Sequence, residues 1–181
     1  VGAPGRNPEM LMRSFNRNAE GSTAIEFAMV CAPFMALLFG IIAVGLYFFT
    51  IFSMENAVEQ ASRFIRTGQA QQAGFTPQQF KDKVCQYVPG HIDCANKVFV
   101  NVKSYANSSD ITPESLPKCL DGGNLNTVTG YVPGSQNAVV LVWVCYEWEM
   151  AKFPYISFGD MSNGSMLVQA TTTFRTEPYT N

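Results

Sequence analysis

Charge is scarce in this chain, and histidine is almost missing from it. Asp, Glu, Lys and Arg together make 14% of the 181 residues, against about a quarter in an ordinary soluble protein. From Phe27 to Phe52 there is not one of them. The lone histidine, His91, follows a Pro89-Gly90 pair and is expected to be a solvated loop residue. It supports no Ser/His/Asp arrangement, and no Gly-rich phosphate loop is present. The five cysteines contain no C-x-x-C, so a dithiol redox site is not expected. They also lack the paired short spacings of a metal site. No cofactor, metal or small-molecule substrate is therefore expected. The net charge is −2 and Lys and Arg are scattered without a basic stripe, which gives no reason to expect nucleic acid. No internal repeat is visible.

What is present is one long apolar run. Phe27–Phe52 covers 26 positions, or about 39 Å of helix at about 1.5 Å per residue, enough for a hydrocarbon core of about 30 Å. A cleaved secretory segment would be only about 7–15 residues long, so this run is expected to stay as a membrane helix. Ser22 or Thr23 can cap it. Pro33 removes one backbone hydrogen bond and is expected to kink it. Ala32, Ala36 and Gly40 recur at spacing four, a small-residue stripe that lets another helix approach closely. Arg6, Arg13 and Arg17 precede the run, so the positive-inside rule places the N-terminus in the cytoplasm. Arg63 and Arg66 follow it, but Glu55 and Glu59 stand among them and are expected to pair with them at spacings of three and four. Four cysteines, Cys85, Cys94, Cys119 and Cys145, fall downstream, which suits an extracytoplasmic domain with disulfides. Cys31 lies inside the run and reads as a small buried hydrophobe.

One acid, Glu26, stands at the opening of the run, where an ionised carboxylate is costly and rare. Its setting is Gly21-Ser22-Thr23-Ala24-Ile25-Glu26-Phe27, behind an Arg-bearing leader. This resembles a type IV prepilin: a leader, Gly at the cleavage point, Glu at the fifth mature position and an aromatic, Phe27, at the sixth. More narrowly, the chain resembles the TadE-like family, the pilin-like proteins of Tad/Flp tight-adherence pilus systems. Arg13 and Arg17, residues 21–28, Ala32-Pro33-Phe34 and the segment Glu55–Arg63 carry the resemblance, with softer likeness at Val142–Trp148 and Ala170–Pro178. It implies cleavage between Gly21 and Ser22 by a prepilin peptidase. It also implies that Glu26 meets the new Ser22 ammonium of a neighbouring subunit. The implied partners are the membrane, other pilin-like subunits and Tad assembly-platform proteins. The implied location is a bacterial inner membrane, crossed once, with the C-terminal domain in the periplasm or in an extracellular pilus. The plainer alternative for Glu26 is an acid at a helix start that reaches the cytoplasmic headgroups.

The rest reads as an α+β domain. The expected divisions are a leader at 1–21, a transmembrane helix at 22–52 and an extracytoplasmic domain at 53–181. Val1, Met10 and Met12 are alternative starts. The helix is expected to run on past the bilayer to Gly68, with Ala57, Ala61 and Phe64-Ile65 on one face. A polar linker at 69–74 follows, then a helix from Pro77 to about Tyr87, capped by Thr76 and burying Phe80, Val84 and Val88. Three strands, 97–105, 138–150 and 167–175, form a small antiparallel sheet, the middle one covered on both faces. Long loops at 106–137 and 151–165 join them. Trp143, Tyr146 and Trp148 are expected to pack the sheet. Cys85 and Cys94 flank the Pro89-Gly90 turn and are expected to pair, leaving Cys119 with Cys145; spacing leaves the other two connectivities open. Two other functional readings stand beside the pilin one. One is a signal-anchored binding domain that never enters a pilus, and the other a membrane-tethered enzyme, for which the sequence offers no polar cleft.

Overall fold

The computed structural model describes residues 20–149 and 159–179, with side chains from Thr23 onward. Most of the expected leader therefore lies outside the described residues. Helix α1 runs Glu20–Arg66 without a break at Pro33. Its start precedes Ser22, so neither Ser22 nor Thr23 occupies the cap position expected of it. With no chain end at Ser22, the helix continues back into the leader.

The chain divides into two compact units, one ending at Gly45 and one beginning at Leu46. In the first, the α1 side chains are largely exposed from Thr23 onward. In the second, α1 becomes two-sided. Thr50, Met54, Ala57, Val58, Ala61, Ser62 and Ile65 are buried at spacings of three and four, the stripe of an amphipathic helix against a core. Fully burying Met54, Val58 and Ile65 contributes roughly 1.5–3 kcal/mol each by transfer. Ala57 and Ala61 keep the contact close. The unit boundary falls seven positions before the 52/53 division expected from hydropathy, because Tyr47, Ile51 and Thr50 already face the domain's core.

Gly68 ends the helix region. Its φ of 78° is left-handed, and its N–H donates to the Ile65 carbonyl at 3.1 Å. The Tyr179 ring lies where a Cβ on Gly68 would stand. The next segment, expected as a polar linker, holds a short helix α2, Gln69–Gln72, with Ala70 buried. With two alanines and no larger apolar side chain it shows no clear period, which hid a turn secured mainly by backbone bonds. Helix α3, Pro77–Gln86, follows with Thr76 as cap. The Gln79 N–H donates to Thr76 Oγ1 at 3.2 Å, and the Thr76 N–H donates to Gln79 Oε1 at 2.8 Å, a reciprocal capping box. Phe80 and Val84 are buried, and Val88 packs partly against the same core. Helix α4, Cys94–Lys97, is capped by Asp93.

Strand β1 is Val98–Tyr105. The region 106–137, expected as a loop, contains two short 3₁₀ turns and a hairpin of β2, Leu120–Asp121, with β3, Asn124–Leu125. The hairpin is too short to show alternation; Gly122 and Gly123 supply its positive φ angles. Strands β4, Val139–Trp148, and β5, Met166–Arg175, complete a three-stranded antiparallel sheet of order β1-β4-β5. Val142 pairs with Val102 on one side and with Thr172 on the other. The central strand is covered on both faces, as its apolar run Val139–Tyr146 predicts. One face, with Val140, Val142, Val144, Tyr146 and Trp148, joins the main core with Met54, Ile65 and Phe80. The other, with Trp143 and Cys145, lies under Cys119, Met161 and Leu167.

The two disulfides join Cys85 to Cys94 and Cys119 to Cys145, with Cα atoms 5.6 Å apart in each. The first ties α3 to α4; the second ties the 106–137 region to the central strand. Cys31 is a free thiol. The sum is a long N-terminal apolar helix followed by a small domain with a second helix and a three-stranded antiparallel sheet.

Candidate functional site

The first half of α1 is apolar and has little protein over it. Ile25, Phe27, Val30, Leu37 and Ile41 are each more than three-fifths exposed. An apolar surface of this extent is not stable in water. Among the described residues it is the one helix long and apolar enough to cross a membrane. Pro33 is inside it, and Gly40 and Gly45 have no atom within 4 Å of where a Cβ would stand. Ala32, Ala36 and Gly40 are exposed, so the small-residue stripe is open to a neighbour. Glu26 is exposed too. At about 100° per residue it stands about 80° round the axis from Ala36. Acid and stripe are thus adjoining but distinct strips of one helix surface. The backbone of Gly21 and Ser22 lies in the first turn of α1; their side chains are outside the described residues.

Where α1 enters the domain, aromatic rings gather. The Tyr47 ring lies 5.3 Å from Trp148, the last residue of β4. Phe49 stacks on His91 with centroids 5.6 Å apart. Phe48 and Phe52 stack on one another at 6.5 Å. The histidine is an exposed loop residue, as expected. Its contact with Phe49 was not legible, because sequence distance hides it. The one available signal was an apolar run longer than a hydrocarbon core needs.

Farther along, the charges on α1 pair differently from expectation. Arg66 meets Glu59 at 3.5 Å, a spacing of seven, and not at three or four. Glu59 also accepts a hydrogen bond from Thr172 Oγ1 of β5 at 3.0 Å, which draws its carboxylate toward the sheet. The Arg66 guanidinium lies 5.3 Å over the Phe174 ring, so both long side chains lean onto β5. At exposed sites such pairs are worth little, about 0–1 kcal/mol. They orient the helix end more than they stabilise it.

Elsewhere the polar groups are structural. Lys97 pairs with Glu149, and this raises the Lys97 pKa. Asn96 donates to the Asp93 carboxylate from its side chain and from its backbone, which holds that group below the usual carboxylate range. Burial lowers the Lys81 pKa. Trp143 Nε1 donates to Cys119 Sγ at 3.0 Å. Tyr131 packs on Phe80 at 5.6 Å, in a segment bridged in parallel to Val102. Its hydroxyl is buried and makes no hydrogen bond among the described residues, and burial pushes its pKa up to about 12. No cluster of three metal-ligating side chains occurs among the described residues.

These features define a class: a single-helix candidate membrane anchor leading into a disulfide-bonded α+β domain. Residues 21–63 match the model of the family described as TadE-like protein, the family that the residues themselves resemble. The matched segment holds Glu26, the small-residue stripe and the helix as far as Arg63. Neither the curated proteins nor the solved structures give a match. The family match associates the chain with a Tad pilus system and with a membrane.

Proposed function

We propose that this protein is a pilin-like minor component or assembly factor of a Tad-type pilus, working through membrane-helix and domain contacts and without catalytic activity of its own. The observation that carries the reading is Glu26 at the opening of an uncovered apolar helix, within the TadE-like match. An ionised acid is costly where a helix enters the hydrocarbon, and ionisable residues retained within membrane segments mark function. Here the acid follows Gly21-Ser22. Cleavage between them by a prepilin peptidase leaves an ammonium on Ser22. In the assembled state the Glu26 carboxylate of one subunit faces that ammonium on the next, which offsets its desolvation and sets the helix register. The peptidase requires the first turn of α1 to unwind. Gly21 eases this, because glycine costs a helix about 1 kcal/mol relative to alanine. The small-residue stripe then offers a second strip for close helix packing. The domain lies outside the cytoplasm, where its disulfides persist.

The test pairs Glu26→Ala with Glu26→Gln in the native host. Both variants should insert, fold and be cleaved normally, because a helix gains from alanine and the membrane-buried acid is gone. Both should lose pilus-dependent adhesion. Sequencing of the mature protein should find Ser22 first. A processed, stable Glu26→Gln that piliates fully would return Glu26 to a plain role at a helix start. An uncut leader in the presence of the peptidase would favour a signal-anchored domain outside the pilus.

A further inference from the structure

The apolar run is longer than the hydrocarbon it must cross. With Glu26 at one boundary, about 30 Å of core is spent after about 20 residues, near Leu46. Tyr47–Phe52 then extends about 9 Å beyond, roughly the depth of one headgroup layer. The second compact unit begins at this same place, at Leu46. The turns from Tyr47 to Phe52 have two faces. Thr50 is buried, and the Tyr47 ring packs at a tilt against Trp148. On the open side Phe48, Phe49 and Phe52 are 50%, 53% and 64% exposed. The loop carrying His91 reaches down to the level of Phe49 and lays its imidazole on that ring.

From this we propose that the aromatic rim made by Phe48, Phe49, Phe52 and His91, backed by Tyr47 against the buried Trp148, is a lipid-docking surface. It seats the domain in the headgroup layer of the bilayer that α1 spans. Tyr47 and His91 combine an apolar body with a polar edge, which this layer selects, and the open Phe rings supply apolar area to its acyl boundary. Three open phenylalanines facing water would be a liability; at headgroup depth their apolar area is covered. The exposed imidazole can hydrogen-bond lipid phosphate or ester oxygens while its face stays on Phe49. The rim also differs from the surface that suits another helix. Ala32, Ala36 and Gly40 lie earlier, among Phe27, Phe34 and Phe39, and no such small-residue stripe runs through Tyr47–Phe52, so helix packing and lipid seating occupy separate lengths of α1. The inference rests on α1 spanning the membrane, and the test carries a separate control for that.

Nitroxide labels placed singly, in a Cys31→Ser background, at Leu37→Cys, Phe52→Cys, His91→Cys and Val128→Cys would report depth. All four side chains are exposed, so the labels displace no core. The full chain is held at one copy per nanodisc of phosphatidylethanolamine and phosphatidylglycerol. Collision with oxygen, which favours lipid, is compared with collision with a water-soluble nickel chelate. The ratio should fall in the order Leu37, Phe52, His91, Val128, with Phe52 and His91 several-fold above Val128. A lipid-like Leu37 with Phe52 and His91 equal to Val128 would mean that the domain stands clear of the bilayer, and would overturn the inference. So would shielding of Phe52 and His91 from both reagents, since protein would then cover the rim. A water-like Leu37 would remove the membrane reading itself.

Discussion

Replacing Cys119 and Cys145 together by alanine should weaken the domain more than the same change at Cys85 and Cys94. The two bridges close segments of 26 and 9 residues. In the chain-entropy model the longer closure is worth about 3.5 kcal/mol and the shorter about 2.6 kcal/mol, so the expected difference is about 1 kcal/mol. Location should separate them more sharply than size. Cys119 and Cys145 sit in the satellite cluster with Met161 and Leu167, whereas Cys94 belongs to the main core. Alanine is the right replacement because both positions are buried and serine would bury an unpartnered hydroxyl. Guanidinium unfolding of the full chain in detergent gives the two free energies. Hydrogen exchange then shows where each variant opens. Loss of Cys119–Cys145 should free the β2–β3 hairpin and the loop before β5, with β1 and α3 still protected. Trp143, whose Nε1 donates to Cys119 Sγ, should report the same loss by a change in fluorescence. The reasoning fails if the short bridge costs more, or if loss of the long one exposes β1 and α3 first.

Tyr131→Phe should stabilise the domain by about 1 kcal/mol at neutral pH, because it removes a buried hydroxyl that has no partner among the described residues. The folded-state pKa of that hydroxyl is raised to about 12. Its contribution is therefore fully present below the unfolded value of about 10 and is lost as pH rises toward 12; unfolding at pH 9 and pH 11 should show a steeper alkaline loss for the parent than for the variant. Gly68→Ala should cost about 1–2 kcal/mol from the left-handed backbone alone and should also release Tyr179 from the helix end, read as a lower melting temperature with faster carboxypeptidase trimming. Asp93 has a depressed folded pKa, so its cap contributes above the unfolded carboxylate value and is lost as pH falls through the folded one. Asp93→Asn should flatten the acid limb of the stability curve below about pH 4, and an unchanged limb would refute this.

Much of this protein was legible before any coordinates. An uncharged run of this length marks a long helix, which satisfies its backbone polar groups within the segment, and α1 is that helix and a candidate membrane anchor. The Thr76 cap ahead of Pro77 and the alternation of β1 and β5 are local physics, encoded within a few residues. So is the apolar run Val139–Tyr146 of β4, which demands cover on both faces. Tertiary structure decided whatever depends on residues far apart in the chain. It drew Glu59 toward Thr172 and so set the ion pair with Arg66 at a spacing that helix rules do not favour. It built the β2–β3 hairpin from a segment too short to show a period, and left the Tyr131 hydroxyl buried without a partner among the described residues. It brought His91 onto Phe49, where the chain leaves its apolar run. Sequence pattern reports which face of an element is apolar; only packing determines what that face meets.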